Sequence, residues 1–409
     1  MKTFILIALV ACCAIGTGFA TGGQEEEIPE KLVYMSTAWG SPSQELLDKF
    51  EAETGIKVEV TTLDVKPLRD KVMTAAAGKV NPADIIFVGI DDIGGFASAG
   101  ILRELDRDIP KKTFDSVYGR QFFEMEGKTY AVPLYQQMVM VDYDKAAMTK
   151  IGVKGENIKT WGDFEEVAQK LKDQGVSEYP VSFGVRSWSW YLMALSMGST
   201  LFNKDMEPTF DEASDPGHRA FTMLIDWYEK GLISPERVSS PNPHPAFWAG
   251  QTVFHQAWQG SLGIANNPEK SKIAPNADYL LLPEKHFTWS LPAGLGISTY
   301  TDYPKAAQQF IEFMISEEVQ LNTYDTNGMF PALRSLFQRL GNEGKIDGYK
   351  TMAEQAKYLI PLPYNTPWYA EFNNEATNAL VRAAREEQTV DEAIKALAEY
   401  QRKLKQEYE

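Results

Sequence analysis

A chain of 409 residues, 44% hydrophobic and 23% charged, has room for two or three packed domains and the make-up of an ordinary globular protein. Its formal charge of −16 argues against a nucleic-acid backbone as partner, because phosphate binding needs a basic patch. The acidity does not by itself call for a cationic ligand, since an acidic exterior mainly serves solubility.

The first residues predict export. Lys2 forms a short basic region, Phe4 to Ile15 an apolar one, and Gly18-Phe19-Ala20 supplies small residues around a cleavable bond. Residues 1–20 therefore read as a signal peptide, too short to span a bilayer, and the destination as periplasmic or otherwise extracytoplasmic. Cleavage there would remove Cys12 and Cys13, leaving a fold that depends on core packing alone. In a second reading, Leu9-Val10-Ala11-Cys12 is a lipobox and Cys12 an acylated anchor. Residues 21–30, rich in Gly and Glu, read as a flexible leader.

The folded part opens with a strand at Leu32–Met35 and an amphipathic helix from Gln44 to Glu53, stopped by Gly55. A second strand follows at 56–60, a helix at 68–77, and a continuous apolar strand at Ile85–Val88. Beyond it lie Asp91, Asp92, a Gly94-Gly95 turn, and an apolar stretch at helical spacing from Phe96 to Leu105. Repeated βα alternation predicts an α/β fold with a parallel sheet, and such sheets take ligands just past the carboxyl ends of their strands. Asp91 and Asp92 sit at such a place. Farther on, Lys128–Pro133 runs extended into Val139–Val141, and Thr160 with Asp163 forms a capping pattern for a helix.

These segments resemble, in order and spacing, the family 1 extracellular solute-binding proteins of bacterial ATP-binding-cassette importers, the maltose-binding group. The phrases that carry the resemblance are Asp84-Ile85-Ile86-Phe87 with Gly94-Gly95, Lys159-Thr160-Trp161-Gly162-Asp163, Trp258-Gln259-Gly260-Ser261, Gly294-Leu295-Gly296, Gly328-Met329-Phe330-Pro331 and Thr389-Val390-Asp391-Glu392-Ala393. Asp142-Tyr143-Asp144 matches the usual Tyr-Tyr-Asn phrase only in part. The resemblance implies a two-lobed fold of the periplasmic-binding-protein type II kind. Each lobe would be a mixed, mostly parallel sheet flanked by helices, with three segments crossing between them. The N-terminal lobe is expected at 31–136 plus 296–332, and the C-terminal lobe at 137–295 plus 333–409. It also implies a monomer that delivers its ligand to membrane permease subunits.

A sugar site needs flat aromatic faces for C–H surfaces and fixed polar groups for hydroxyls. Trp39, on the first strand-to-helix loop, is expected to face a cleft. Asp91 is the better ligand candidate of the acidic pair, since one partner of such a pair commonly caps a helix or is solvated. Tyr135 with Gln136 either borders the cleft or belongs to a buried strand. Of Trp188 and Trp190, one should face ligand and the other core. Arg186 would donate to a hydroxyl or carboxylate, or pair with surface acid. Trp258 resembles the family's most regular stacking position, and Gly294 lies on the return crossover. Trp368 serves either stacking or helix packing, Trp289 is ambiguous, and Trp161, Trp227 and Trp248 are expected in the core.

His218, His244, His255 and His286 share no metal-ligand spacing, and no GxSxG elbow or phosphate loop follows a strand. No metal and no cofactor is therefore expected, nor a catalytic role. Two alternatives to carbohydrate capture stay open: a polyamine held by the acidic pair and aromatics, and an exported glycoside-active enzyme using two carboxylates.

Overall fold

The computed structural model describes residues 29–239 and 242–408, so the expected signal segment, the Cys12 anchor and most of the leader lie outside the described residues. Strand β1 (Lys31–Ser36) is exposed at Lys31 but buried on both faces from Tyr34 to Ser36, and pairs in parallel with β2 (Lys57–Thr62). The helix Gln44–Thr54 joins them. Ser43 caps its start by accepting the Leu46 N–H at 3.4 Å, and Gly55, at φ 75°, ends it in a conformation that costs glycine little. After the helix Val65–Gly78, β3 (Ile85–Gly89) docks on the other side of β1.

A short hairpin of β4 (Glu124–Met125) and β5 (Lys128–Thr129) precedes β6 (Val132–Tyr135), and the chain then crosses into a second sheet as β7 (Val139–Asp144). That sheet is completed by β8 (Val181–Ser182), β9 (Phe254–Trp258) and β10 (Ala277–Leu280). The return strand β11 (Ala293–Ile297) re-enters the first sheet, giving orders β2-β1-β3-β11-β6 and β10-β7-β9-β8. The fold is α/β and two-lobed, with mixed sheets flanked by helices.

Parallel pairing is less extensive than βα alternation implies. Among the described residues of the two large sheets it is confined to β1–β2, β1–β3 and β8–β9; β11 runs antiparallel to β3 and β6, and β7 antiparallel to β9 and β10. The crossing strands reach their sheet from the opposite lobe and have no helical crossover to reverse them. A second correction concerns Phe96–Leu105. The helix spans only Ile93–Ser98, so Gly94-Gly95 lies inside it rather than in a turn; Gly100, at φ 67°, turns the chain, and Leu102 bridges to Ser298 beside β11.

The Thr160 capping box is present: its hydroxyl accepts the Asp163 N–H at 3.0 Å, and Asp163 accepts the Thr160 N–H at 2.8 Å. The helix it starts, Trp161–Asp173, sends Trp161 and Phe164 into a fully buried cluster with Phe183 and Trp227. Trp248, expected in the core, is only half-buried. The third crossing runs through Gly328–Leu333, where the Gln136 N–H donates to the Phe330 carbonyl at 3.1 Å. The last two helices, Tyr369–Ala384 and Val390–Tyr408, pack on the second lobe's Ser187–Met197 and Pro216–Glu229 helices.

The two lobes touch. A Cβ built on Gly94 would lie 2.6 Å from the Thr366 carbonyl oxygen and 2.8 Å from that of Tyr364, so backbone meets backbone there. Close by, the Asn373 amide donates to Asp91 at 3.4 Å. Among the described residues no helix is long and apolar enough to cross a membrane.

Candidate ligand site

The 3-10 turn Ala38–Gly40 holds Trp39 half-exposed after β1, with its Nε1 donating to the Tyr135 hydroxyl at 3.1 Å. Tyr135 is buried at the end of β6, beside Phe87. Gln136 is half-buried on the crossing itself.

Asp91 and Asp92 follow β3 but play different parts. Asp92 is buried and ion-paired with Arg69, a residue with no local signature that would single it out. Asp91 keeps partial exposure. Burial, and then the charge of Asp92, push its carboxyl up to about 7, opposed by Arg69. Its field reaches the hydroxyls of Tyr191, Tyr364 and Tyr369 across the interface.

On the second lobe, Arg186 precedes the helix Ser187–Met197, and the two tryptophans after it diverge. Residues two apart on a helix lie about 200° apart around its axis, so one faces outward when the other faces in. Trp190 is fully buried, donates to the Gly217 carbonyl at 2.8 Å and packs edge-on against Phe210 and Phe221; it is core. Trp188 is half-buried and meets Trp289 edge-on at 6.4 Å; Trp289 in turn meets Tyr191 at 6.1 Å. The Arg186 guanidinium lies 5.1 Å from the Trp188 ring centroid.

Trp258 ends β9, half-buried, with its ring edge-on to His244 at 4.9 Å. Behind it runs a buried chain: His244 Nδ1 lies 2.8 Å from His255 Nε2, and His255 Nδ1 lies 3.3 Å from Asp142. Burial pushes His244 down to about 2 and His255 to about 3, so both imidazoles are neutral, and it holds Asp142 well above the usual carboxylate range.

Two candidates lie elsewhere. Gly294 sits inside the first sheet, where a Cβ would come within 2.9 Å of the Val132 carbonyl, so its role is close strand packing. Trp368 is buried against Phe202 and Phe372. Sequence reasoning passed over Tyr191, Asn373, Tyr364 and Tyr369, which lie in helices or loops with no local signature and meet only through the fold.

Several buried polar atoms along this wall have no hydrogen-bond partner: Arg186 Nε, Trp258 Nε1, Trp289 Nε1 and the Tyr191 hydroxyl. The last lies beside Tyr369 and Ser187, in good geometry to neither. Each such group costs about 1–3 kcal/mol if left unmade. A cavity of about 320 Å³ opens between the lobes at Tyr364, lined by Gln121, Phe122 and Glu124 on one side and by Thr200, Phe202 and Asn365 on the other. A larger cavity, about 520 Å³ beside Tyr143 and His286, shares no residue with the wall.

A model of the bacterial extracellular solute-binding protein family matches residues 45–353, well over half the chain. The chain belongs to this family. Among curated relatives of this solute-binding protein, a maltooligosaccharide ABC transporter solute-binding lipoprotein of Streptococcus pneumoniae is 23% identical over 383 residues, covering 88% of this chain and 85% of the relative. A putrescine/agmatine-binding protein of Pseudomonas aeruginosa is 26% identical over 330 residues, covering 79% and 83%. Among solved structures, maltose-bound MalE3 of T. maritima superposes with a TM-score of 0.79 at 18% identity, covering 91% of this chain and 99% of that one. At that identity the likeness speaks for the fold.

Proposed function

We propose that this solute-binding protein captures a carbohydrate between its lobes and delivers it to the permease of an ATP-driven importer outside the cytoplasm. The observation that carries this reading is a ring cluster on the second lobe, half-buried Trp188 against fully buried Trp289 and Tyr191, where the Trp289 N–H and the Tyr191 hydroxyl lack hydrogen-bond partners. Apolar ring faces suit sugar C–H surfaces, and fixed donors suit hydroxyls. The relation to a maltooligosaccharide-binding lipoprotein supports both the ligand class and an extracytoplasmic place, reached through a cleaved signal or an anchor at Cys12. Contacts to both lobes would stabilise the closed form by their differential affinity. No catalytic step is assigned.

A polyamine ligand is the second reading, favoured by the putrescine/agmatine-binding relative and by Asp91. Against it, Asp92 is already matched by Arg69, so a cation would meet only Asp91, which already accepts from the Asn373 amide. Calorimetry with maltooligosaccharides, monosaccharides and putrescine separates the readings. Saccharide binding that is silent to putrescine supports carbohydrate capture, and salt-sensitive binding of putrescine alone overturns it.

A further inference from the structure

We propose that the guest carries an anionic group, a carboxylate or phosphate on the saccharide, seated against Arg186 and Trp188. The inference rests on the carbohydrate reading and narrows it to acidic saccharides.

Arg186 lies just past β8, in extended conformation, as the residue that caps the helix Ser187–Met197. Its side chain folds back over Gly184, where a Cβ would come within 3.1 Å of its Cγ, Cδ and Nε. The guanidinium sits beside the Trp188 ring at 5.1 Å, and its Nε is buried with no hydrogen-bond partner. Among the described residues no carboxylate compensates it. Burial, and then the like charge of Arg237, bring its pKa down to about 10, so it stays a cation at neutral pH. Arg237 has partners of its own in Asn242 and Glu236. The nearby imidazoles of His244 and His255 bring no charge, and Asp142 satisfies His255 rather than Arg186.

Arg186 as a whole is half-buried, but its Nε is closed off from solvent without a partner, and buried polar groups are as a rule hydrogen-bonded. The neighbouring orphans Trp258 Nε1 and Trp289 Nε1 can only donate. A neutral sugar hydroxyl both donates and accepts, whereas an anionic oxygen accepts only, which is what this set of donors lacks. Arginine also presents a planar fork suited to carboxylate and phosphate. Asp91 is engaged elsewhere along the wall by Asn373 and is not among the charges that act on Arg186, so an anion at Arg186 need not face it.

The test is calorimetry on the full chain with galacturonate di- and trisaccharides, their neutral methyl esters, glucose 6-phosphate and glucose, each at low and at raised salt. The expected result is that an acidic member binds at least about tenfold tighter than its neutral counterpart, with the gap narrowing in salt. Preference for the uronates identifies a carboxylate, and preference for the sugar phosphate a phosphate. R186Q should abolish the preference for acidic over neutral members, whatever it does to affinity as a whole, and R186K should restore part of it; melting curves establish that both variants fold. Tighter binding of the neutral members, or an acidic preference undiminished in folded R186Q, overturns this inference alone. Silence toward every saccharide overturns it together with the carbohydrate reading.

Discussion

Gly94 offers a way to disturb lobe closure without touching the ligand. In the described arrangement a methyl group at this position would meet three backbone atoms of the opposite lobe, at 2.6, 2.8 and 2.9 Å. Ordinary contact begins near 3.4 Å, so Gly94→Ala must force the lobes about 0.8 Å apart at that point or distort the Tyr364–Thr366 backbone. Overpacking of this kind typically costs about 1–3 kcal/mol. Because the cost falls only on the closed form, it should appear in ligand affinity, as a loss of about 5- to 150-fold. Gly94 lies in the helix Ile93–Ser98, where alanine is better by up to about 1 kcal/mol, so the ligand-free melting temperature should hold or rise slightly. Calorimetry and a ligand-free thermal melt on the same preparation measure both quantities. Affinity within twofold of the parent would refute the reasoning, and so would a fall in ligand-free stability equal to the loss in binding.

Trp188→Ala should weaken binding by about 2- to 12-fold, from stacking worth about 0.5–1.5 kcal/mol, with little change in melting; Trp190→Ala should instead cost about 3–5 kcal/mol in denaturant titration, as a core aromatic does. Arg69→Ala leaves Asp92 buried without its counter-ion and should destabilise the protein by about 3–5 kcal/mol in the same titration. Asp91 has a folded-state pKa raised from 3.8 to about 7, so the native state holds its proton more tightly than the unfolded chain does. Its contribution to stability is therefore fully present below pH 4 and is lost as pH rises through 7. The melting temperature of Asp91→Asn minus that of the parent should climb between pH 4 and 7 and level off above; a difference flat across that range would remove the perturbed carboxyl.

Local rules made the caps and first strands legible. Gly55 and the Thr160–Asp163 box act within one turn of chain, and the apolar run of Leu32–Met35 marks the strand without help from the rest of the fold. Strand direction was not legible, because whether β7 and β11 run with or against their neighbours depends on which lobe they arrive from. The apolar run from Phe96 to Leu105 misled for a similar reason: it serves first as helix and then, past Gly100, as an extended flank of β11. At the candidate site, the split between Trp188 and Trp190 turns on where the helix starts, a boundary that Arg186 sets through its extended backbone. Asp92 reads as a ligand until Arg69, 23 residues earlier, closes on it. Tyr191 and Trp289 carry no pattern of their own, and only the packed second lobe brings their rings together.

The bond from Trp39 to Tyr135 divides the labour between the halves of the molecule. With its single N–H already committed, that indole has only its flat side left to offer, so on the proposed reading it would hold a pyranose whichever way the hydroxyls point. On the proposed reading, discrimination would come from the opposite jaw, where Arg186, Trp258 and Trp289 have N–H groups without partners. A descendant of this protein could change its diet by altering those few positions and keep the other half as it stands.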